Sequence, residues 1–164
     1  MTRIRTIAAT VTLGAAATFF VAGPYMVYRG VDARSQVRAE LTAQHIVTTP
    51  DSADPGKQVT DAHTAQVQAD VIEKHMMEAT GGKTFAQLDR TDPVRQTAFQ
   101  GDMLRTALLS SVLAWNVANL VIGLGALVFA LGLVCLVVGL AIRKPQQVLI
   151  TAAPESLREP IATA

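Results

Sequence analysis

An uncharged and mostly apolar stretch runs from Ala107 to Ile142, and Arg143 and Lys144 close it. An α-helix rises about 1.5 Å per residue, so roughly 20 apolar residues are enough to cross a bilayer. Lipid offers no hydrogen-bond partners, and a single segment crosses it only as a helix that satisfies its own backbone. The stretch therefore predicts a transmembrane helix over residues 107–142, with more length than one crossing needs.

A second apolar block, residues 7–28, follows Arg3 and Arg5 near the start of the chain. It is longer than the apolar core of a cleavable signal peptide, about 7–15 residues, and Pro24 makes its small-residue site a poor substrate for a peptidase. We therefore expect an uncleaved signal anchor that forms the first transmembrane helix. Three aromatic side chains lie where an interfacial belt is expected at the ends of the two spans: Tyr25, Tyr28 and Trp115.

Two spans place residues 1–6 and 143–164 on one side of the membrane and residues 29–106 on the other. Basic residues near both ends of the chain favour a cytoplasmic location for those ends. Arginines in the connecting segment count for less, because a segment longer than about 60 residues is translocated largely regardless of charge. The predicted architecture is an all-α protein of the plasma membrane. It is a two-transmembrane helical hairpin with a small, mostly helical extracytoplasmic domain and a disordered cytoplasmic tail.

The connecting segment contains one complete helix and the beginning of another. Apolar residues at spacings of three and four predict a helix over about 62–79, which Gly81 and Gly82 would end in the left-handed conformation. The pair Asp92-Pro93 is typical of a helix start, with Asp as the N-cap and Pro at the first helical position. No strong breaker follows this pair, so we expect one continuous helix to run from there through the second span.

Small residues recur at every seventh position of the second span: Ser111, Ala118, Gly125, Gly132 and Gly139. Seven residues are nearly two helical turns, so these positions form one stripe, and small side chains let helices approach closely in lipid. A similar stripe lies on the first span at Ala9, Ala16 and Gly23. The second stripe is expected to pack within the hairpin or against another protein, including a second copy, unless lipid merely tolerates its glycines. The apolar excess at 107–114 should likewise be buried by the extracytoplasmic helices or a partner.

Residues 80–84 read Thr-Gly-Gly-Lys-Thr and so end like a phosphate-binding loop. Met77 stands where the full motif has its first glycine, and a helix precedes the segment where the motif needs a strand. The formal net charge of +1 also provides no basic face of the kind that binds nucleic acid. We expect neither a nucleotide nor a nucleic acid as a partner.

A metal site is suggested only weakly, by His75 and Glu78, which are three residues apart on the predicted helix. Zinc and non-haem iron sites use three or more protein ligands, and the sequence contains no cluster of histidines and cysteines that would complete one. It also contains no recognisable Ser-His-Asp or paired-carboxylate arrangement. The sequence therefore predicts no cofactor and no catalytic residues, and an ordinary surface position for these two side chains.

The segment 69–90, with the sequence ADVIEKHMMEATGGKTFAQLDR, resembles a group of small actinobacterial membrane proteins. The likeness extends over roughly the second two thirds of the chain, including Asp92, Pro93, Arg95, Leu104, Arg105, Ser111 and Val112. Members of that group have two spans and no established activity, and many carry an automatic label of aromatic ring-opening dioxygenase. The resemblance implies the two-span topology and an envelope location. Extradiol ring cleavage would require iron on a histidine-carboxylate set, to which only His75 with Glu78 comes near.

These observations predict a non-enzymatic integral membrane protein. Its expected role is that of an accessory or scaffold subunit of a cell-envelope complex, or of a homo-oligomer, with the bilayer and other membrane subunits as partners. Two alternatives remain open at this point. One is an oligomeric pore built from the glycine-rich helices, and the other is a metal-dependent enzyme.

Overall fold

The computed structural model of the chain describes residues 2–143, so residues 144–164 of the predicted tail lie outside it. Its helices are α1 (Thr2–Ala43), α2 (Ala62–Ala79) and α3 (Arg95–Arg143), with a short 3₁₀ helix at Phe85–Gln87. Within the described residues the β pairing is a single antiparallel bridge between Val47 and Gln58. The predicted all-α architecture is confirmed, and α1 and α3 are each long and apolar enough to cross a membrane.

Helices α1 and α3 form an antiparallel hairpin whose backbones touch through small residues. A Cβ atom added to Gly23 would lie 2.8 Å from the carbonyl oxygen of Gly125, and one added to Gly125 would lie 2.8 Å from the carbonyl oxygen of Gly23. The buried positions of each helix in this contact recur every seven residues. They are Ala9, Ala16, Gly23 and Gly30 on α1, and Ala118, Gly125, Gly132 and Gly139 on α3. The glycine stripe of α3 is therefore used for packing within the chain.

The facing pairs fix the register of the hairpin over its whole length. Gly30 lies against Ala118, and Gly132 lies against Ala16, so each step of seven along one helix matches a step of seven along the other. At the far end the guanidinium of Arg5 donates a hydrogen bond of 3.4 Å to the carbonyl of Ile142, one of the last carbonyls of α3. We call residues 2–30 and 118–143 the stem, and residues 31–117 the head.

In this register the apolar excess of α3, residues 107–117, does not lie beside the uncharged part of α1. The uncharged part of α1 ends at Arg29, and that level of the hairpin corresponds to Ala118 on α3. Residues 107–117 of α3 therefore run beside the part of α1 that carries Asp32 and several arginines. They belong to the head, although their composition continues that of the stem.

The head has a small apolar core to which α1, α2, α3 and the segment between α1 and α2 all contribute. Its buried members are Leu41, Val59, Ala65, Ala69 and Leu108, and the partly buried Leu109 and Val112 pack against them. The inward half of the excess is thus covered, as expected from the sequence. The side of this α3 segment that faces away from the core is exposed, and Leu113 there has 65% of its surface accessible.

Helix α2 has the predicted bounds and is capped at both ends. The side chain of Asp61 accepts a hydrogen bond from the backbone N–H of Thr64, which completes a capping box. Gly81 and Gly82 follow the helix with φ of 63° and 80°, values that glycine adopts without steric cost. Helix α2 reaches α3 most closely at Gly101, where an added Cβ would meet the side chain of Met76 at 2.9 Å.

Helix α3 begins two residues later than the Asp92-Pro93 pattern indicates. A carboxylate oxygen of Asp92 accepts a hydrogen bond from the N–H of Val94, and its carbonyl accepts one from the N–H of Arg95. The aspartate therefore closes a turn in front of the helix, with Pro93 inside that turn. Short side chains such as Asp form such turns and compete with regular helix at this boundary.

We predict that Gly125→Leu separates the stem, because the new side chain would have to displace backbone atoms of α1. An overpacked contact of this kind costs about 1–3 kcal/mol. Gly123→Leu is the matched control, since nothing lies within 4 Å of a Cβ added at Gly123. Trp115 is the only tryptophan and lies under arginines of α1, so its fluorescence during a titration with sodium dodecyl sulfate reports the separation. Equal midpoints for the two variants would contradict the proposed contact.

Candidate functional site

The two candidate metal ligands do not act together in the structure. His75 points its Nε2 atom at a carboxylate oxygen of Asp51, 2.9 Å away, in the loop between α1 and α2. Glu78 is exposed on the same helix. Among residues 2–143 no group of three His, Cys, Asp or Glu side chains is arranged to hold a metal ion. The geometry therefore assigns His75 to a polar contact between a loop and α2.

Asp51 is the centre of that contact. The ammonium of Lys74 donates to the same carboxylate oxygen at 3.0 Å, and this hydrogen bond, together with that of His75, holds the pKa of Asp51 well below its ordinary value of 3.8. Asp54 in the same loop is similarly placed, because Lys57 and His63 each approach its carboxylate at 2.8 Å and lower its pKa. The two carboxylates fasten the exposed loop to its neighbours at neutral pH.

The segment that resembles a phosphate loop is a helix cap. The N–H of Gly82 donates to the carbonyl of Met77 at 2.7 Å, which satisfies one of the last carbonyls of α2. The hydroxyl of Thr80 donates to the carbonyl of Lys83 at 2.6 Å. These backbone groups are engaged in ending a helix, and the segment leads only into the short 3₁₀ helix Phe85–Gln87, whereas a phosphate loop lies between a strand and an α-helix.

Of the three predicted interfacial aromatics, two are exposed and one is covered. Tyr25 and Tyr28 have more than half of their surface accessible, with 62% and 66% exposed. Trp115 is only 8% exposed, because the guanidinium groups of Arg34 and Arg38 lie over its ring at 4.7 and 5.7 Å from the centroid. Cation–π contacts of this kind join α1 to α3. Trp115 therefore packs inside the protein at the junction of stem and head. An interfacial membrane anchor would instead project outward.

An exposed seam on the outward side of α3 is apolar except at Thr106 and Ser110, and it is not among the features predicted from the sequence. Its positions follow alternating steps of four and three from the head to the end of the stem: Phe99, Met103, Thr106, Ser110, Leu113, Val117, Leu120, Leu124, Leu127, Leu131, Val134 and Val138. The ten apolar members expose between 44% and 69% of their surface. This is the spacing of the paired positions in a coiled coil. The spacing of four and three is present in the sequence, on the same helix as the more conspicuous seven-residue repeat of glycines.

The head also contains an apolar cavity of about 550 Å³ at the junction of α1, α2 and α3. Apolar side chains from all three helices line it, among them Leu41, Ile72, Leu104 and Leu108. Gln68 on α2 lines it as well and is 8% exposed, and its side-chain oxygen is buried without a hydrogen-bond partner. Glu40, Gln44 and Ser111 line the cavity too, so its wall is partly polar, and the Gln68 oxygen itself has almost no accessible surface.

Arg105 joins α2 and α3 beside this cavity. Its guanidinium lies 2.8 Å from the carboxylate of Glu73, and its Nε atom is buried without a partner. The pair is partly exposed, so its contribution is closer to that of a surface ion pair than to that of a buried one. Leu104, the residue before Arg105 on α3, lines the cavity, and Met103 belongs to the outward seam.

Comparisons with protein-family models, with curated proteins and with solved structures found no match for this chain.

We predict that Asp51→Asn loosens the loop between α1 and α2, because the amide cannot hold Lys74 and His75 as a carboxylate does. Since the pKa of Asp51 is lowered by folding, its contribution is present above pH 3.8 and is lost as the pH falls below that value towards the folded-state pKa. The protection of the backbone amides of residues 46–59, measured as their exchange rate relative to the intrinsic rate at the same pH, should fall in the variant at neutral pH and in the unaltered protein under acid conditions. Asp102→Asn on α3 is the control, and equal exchange in the two variants would contradict the role of Asp51.

Proposed function

We propose that the chain is a non-enzymatic integral membrane protein of the cell envelope that acts as an accessory or scaffold subunit. It assembles through the outward seam of α3 with a like-oriented membrane helix. A second copy of this chain is the first candidate, because a heptad seam is self-complementary when two copies share one orientation. The head and stem support this role in different ways.

The stem is the part that we place in the bilayer. Its α1 segment carries no charge between Arg5 and Arg29, which corresponds to about 35 Å of helix and matches the roughly 30 Å of a hydrocarbon core. Arg3, Arg5 and Arg143 cluster at one end of the stem, and the positive-inside tendency favours the cytoplasm for that end. The head then lies on the extracytoplasmic side.

The observation that carries the proposal is the exposed apolar side of α3 within the head. Phe99, Met103 and Leu113 are 44%, 57% and 65% exposed, and all three lie in the head, beyond the level of Ala118 where the stem ends. Lipid would cover the part of the seam that lies in the stem, whereas the part in the head would be exposed to water. Apolar patches of this kind mark interaction surfaces. They lie on the same face of α3 as the seam of the stem, with Thr106 and Ser110 between Met103 and Leu113, and this shared face favours another helix of the same inclination as the occupant.

The alternatives receive less support. A pore built from the glycine stripe would require α3 to leave α1, since Gly125 and its equivalents are covered within the hairpin. For the metal-dependent enzyme and its ring-opening label, His75 and Glu78 would have to be joined by a further ligand, and His75 already contacts Asp51. Nothing in the fold or in the comparisons indicates an enzymatic activity.

We predict that Met103→Glu releases the partner, because it places a charge in the seam within the head. Native mass spectrometry of the chain extracted from its own membrane in mild detergent should show a dimer or a complex with another subunit, and the variant should appear as a monomer. Val47→Glu is the matched control, because Val47 is also an exposed apolar side chain of the head, with 55% against 57% for Met103, but lies off the seam.

The same experiment decides between the possible occupants. A mass of two chains identifies the second copy, and co-elution of a different subunit that Met103→Glu abolishes identifies a hetero-complex through the same seam. A bare monomer of the unaltered protein, or equal loss of the complex in both variants, would overturn the proposal.

A further inference from the structure

Two arginines of α1 are held over one aromatic ring at the junction of stem and head. The guanidinium carbons of Arg34 and Arg38 lie 4.7 and 5.7 Å from the centroid of the Trp115 ring on α3. The ring attracts both cations but supplies no oxygen acceptor for their N–H groups. Among residues 2–143 neither guanidinium donates a hydrogen bond or forms an ion pair. Two positioned cations therefore keep their hydrogen-bonding capacity for a group outside the chain.

Other arginines of the head find their acceptors within the protein. Arg95 also lies over an aromatic ring, that of Phe85 at 3.9 Å, but its guanidinium donates to two backbone carbonyls. Arg105 lies 2.8 Å from a carboxylate of α2. Arg34 and Arg38 instead place two like charges beside one ring, where they repel each other. An anion that accepts hydrogen bonds from both would relieve this repulsion.

Two carboxylates of the same region are engaged by other groups. Asp32 lies 3.8 Å from the guanidinium of Arg29. Asp61 caps α2, and its pKa is lowered mainly by the hydrogen bond from the N–H of Thr64 and to a smaller extent by nearby cations that include Arg38. Arg38 acts on Asp61 only through space, so the junction retains an excess of positive charge.

The level of these arginines along the hairpin is that of a lipid head group. Trp115 precedes Ala118 by three residues, so in the antiparallel register it is level with residue 33 of α1, three residues beyond Gly30. This level is four residues, about 6 Å of helix, beyond Arg29, where the uncharged part of α1 ends. The head-group layer is about 5–8 Å thick on each side of the hydrocarbon core. With the stem in the bilayer as proposed above, on which this step depends, the Trp115 ring lies among lipid phosphates.

The side chains of α1 also lean in the direction of the membrane. Side chains of a helix tilt toward its N-terminus, and the N-terminus of α1 lies in the stem. Arg38 follows this rule, because its guanidinium reaches a ring that is level with residue 33. Arg38 is exposed and Arg34 is half-buried, so a head group beside α1 can reach both.

We propose that Arg34 and Arg38 bind the phosphate of an anionic phospholipid in the outer leaflet, with the Trp115 ring holding both guanidiniums in place. The planar fork of a guanidinium donates two parallel hydrogen bonds to phosphate oxygens. A head group with a net negative charge is favoured over a zwitterionic one, whose ammonium would meet the excess positive charge of the junction. The bound lipid fixes the depth of the stem and ties α1 to α3 at the membrane surface.

The test compares dioleoyl phosphatidylglycerol with dioleoyl phosphatidylcholine, which share their acyl chains and phosphate and differ in the net charge of the head group. Binding to the full chain in mild detergent is measured by native mass spectrometry, as lipid bound per chain. The unaltered protein should bind the first phosphatidylglycerol about tenfold more tightly than phosphatidylcholine, as expected for two arginines beside an uncompensated negative charge. Equal affinity for the two lipids would overturn the proposal.

A charge-matched pair of variants tests the location. Arg34→Gln combined with Arg38→Gln removes both guanidiniums and should bind the two lipids equally. The control combines Arg29→Gln with Arg90→Gln, which removes the same charge from two exposed arginines that make no contact with Trp115, and it should keep the preference. Equal loss of the preference in both double variants would indicate diffuse attraction and refute the site.

A third variant separates the binding geometry from the charge and from folding. Arg34→Lys combined with Arg38→Lys keeps both charges and the aliphatic cover of Trp115 but loses the planar fork, so it should bind phosphatidylglycerol several-fold more weakly than the unaltered protein. Unchanged protection of the α2 amides against hydrogen exchange will show that each variant is folded. Binding by the lysine variant as tight as that of the unaltered protein would refute the guanidinium site.

Inorganic phosphate distinguishes a lipid from a soluble anion. At millimolar concentration it should leave phosphatidylglycerol bound, because the acyl chains add apolar contacts that free phosphate lacks. Displacement of the lipid would assign the arginines to a soluble phosphate and refute the lipid. Because lipid is counted per chain, the result is the same whether or not the chain assembles through the seam, so the two proposals fail separately.

Discussion

The close approach of the α1 and α3 backbones at Gly23 and Gly125 determines most of the remaining structure. Helices in lipid gain little from the hydrophobic effect and associate through close packing, which small residues permit. Once these glycines are in contact, the seven-residue repeat on each helix leaves one register for the whole hairpin. The charged end of α1 is then level with the apolar excess of α3, and α2 packs against α3. A shift of one heptad in one direction would move Arg29 from the level of residue 119 to that of residue 126, inside the stem.

Much of the fold follows from the sequence because its signals are local. The bounds of α2 agree with the prediction, since a capping aspartate precedes it and two glycines with positive φ follow it. The small-residue stripe on α3 is also evident in the sequence. The sequence does not show which helix packs against it, because small residues admit a helix of the same chain and a helix of another chain equally well. Only the tertiary structure shows that Ala16, Gly23 and Gly30 of α1 occupy the stripe.

The candidate sites were harder to predict because they depend on contacts between distant residues. Spacing along α2 paired His75 with Glu78, whereas the structure pairs His75 with Asp51, which is 24 residues away. Gln68 is polar and gave no signal in the apolar stripe, yet it is buried because α2 is covered on more than one side, as the burial of Val67 and Val71 also shows. Trp115 was placed at an interface by its position, and the two arginines that cover it come from α1.

One face of α3 packs within the chain, and the opposite face is the one that we propose to contact a partner. One face is closed by α1 in the stem and by α1 and α2 in the head, and the opposite face is open along its whole length. If α3 ended at the level of Ala118, its open face would meet lipid alone, and little would favour a specific neighbour over the acyl chains. The additional turns in the head carry the same face into water, where burial of Phe99, Met103 and Leu113 is stabilised by the hydrophobic effect at about 25 cal/mol per Å². In the proposed assembly the head would therefore supply the driving force for association, while the seam in the stem would set its geometry. This accounts for an apolar helix that is longer than the membrane it is proposed to cross.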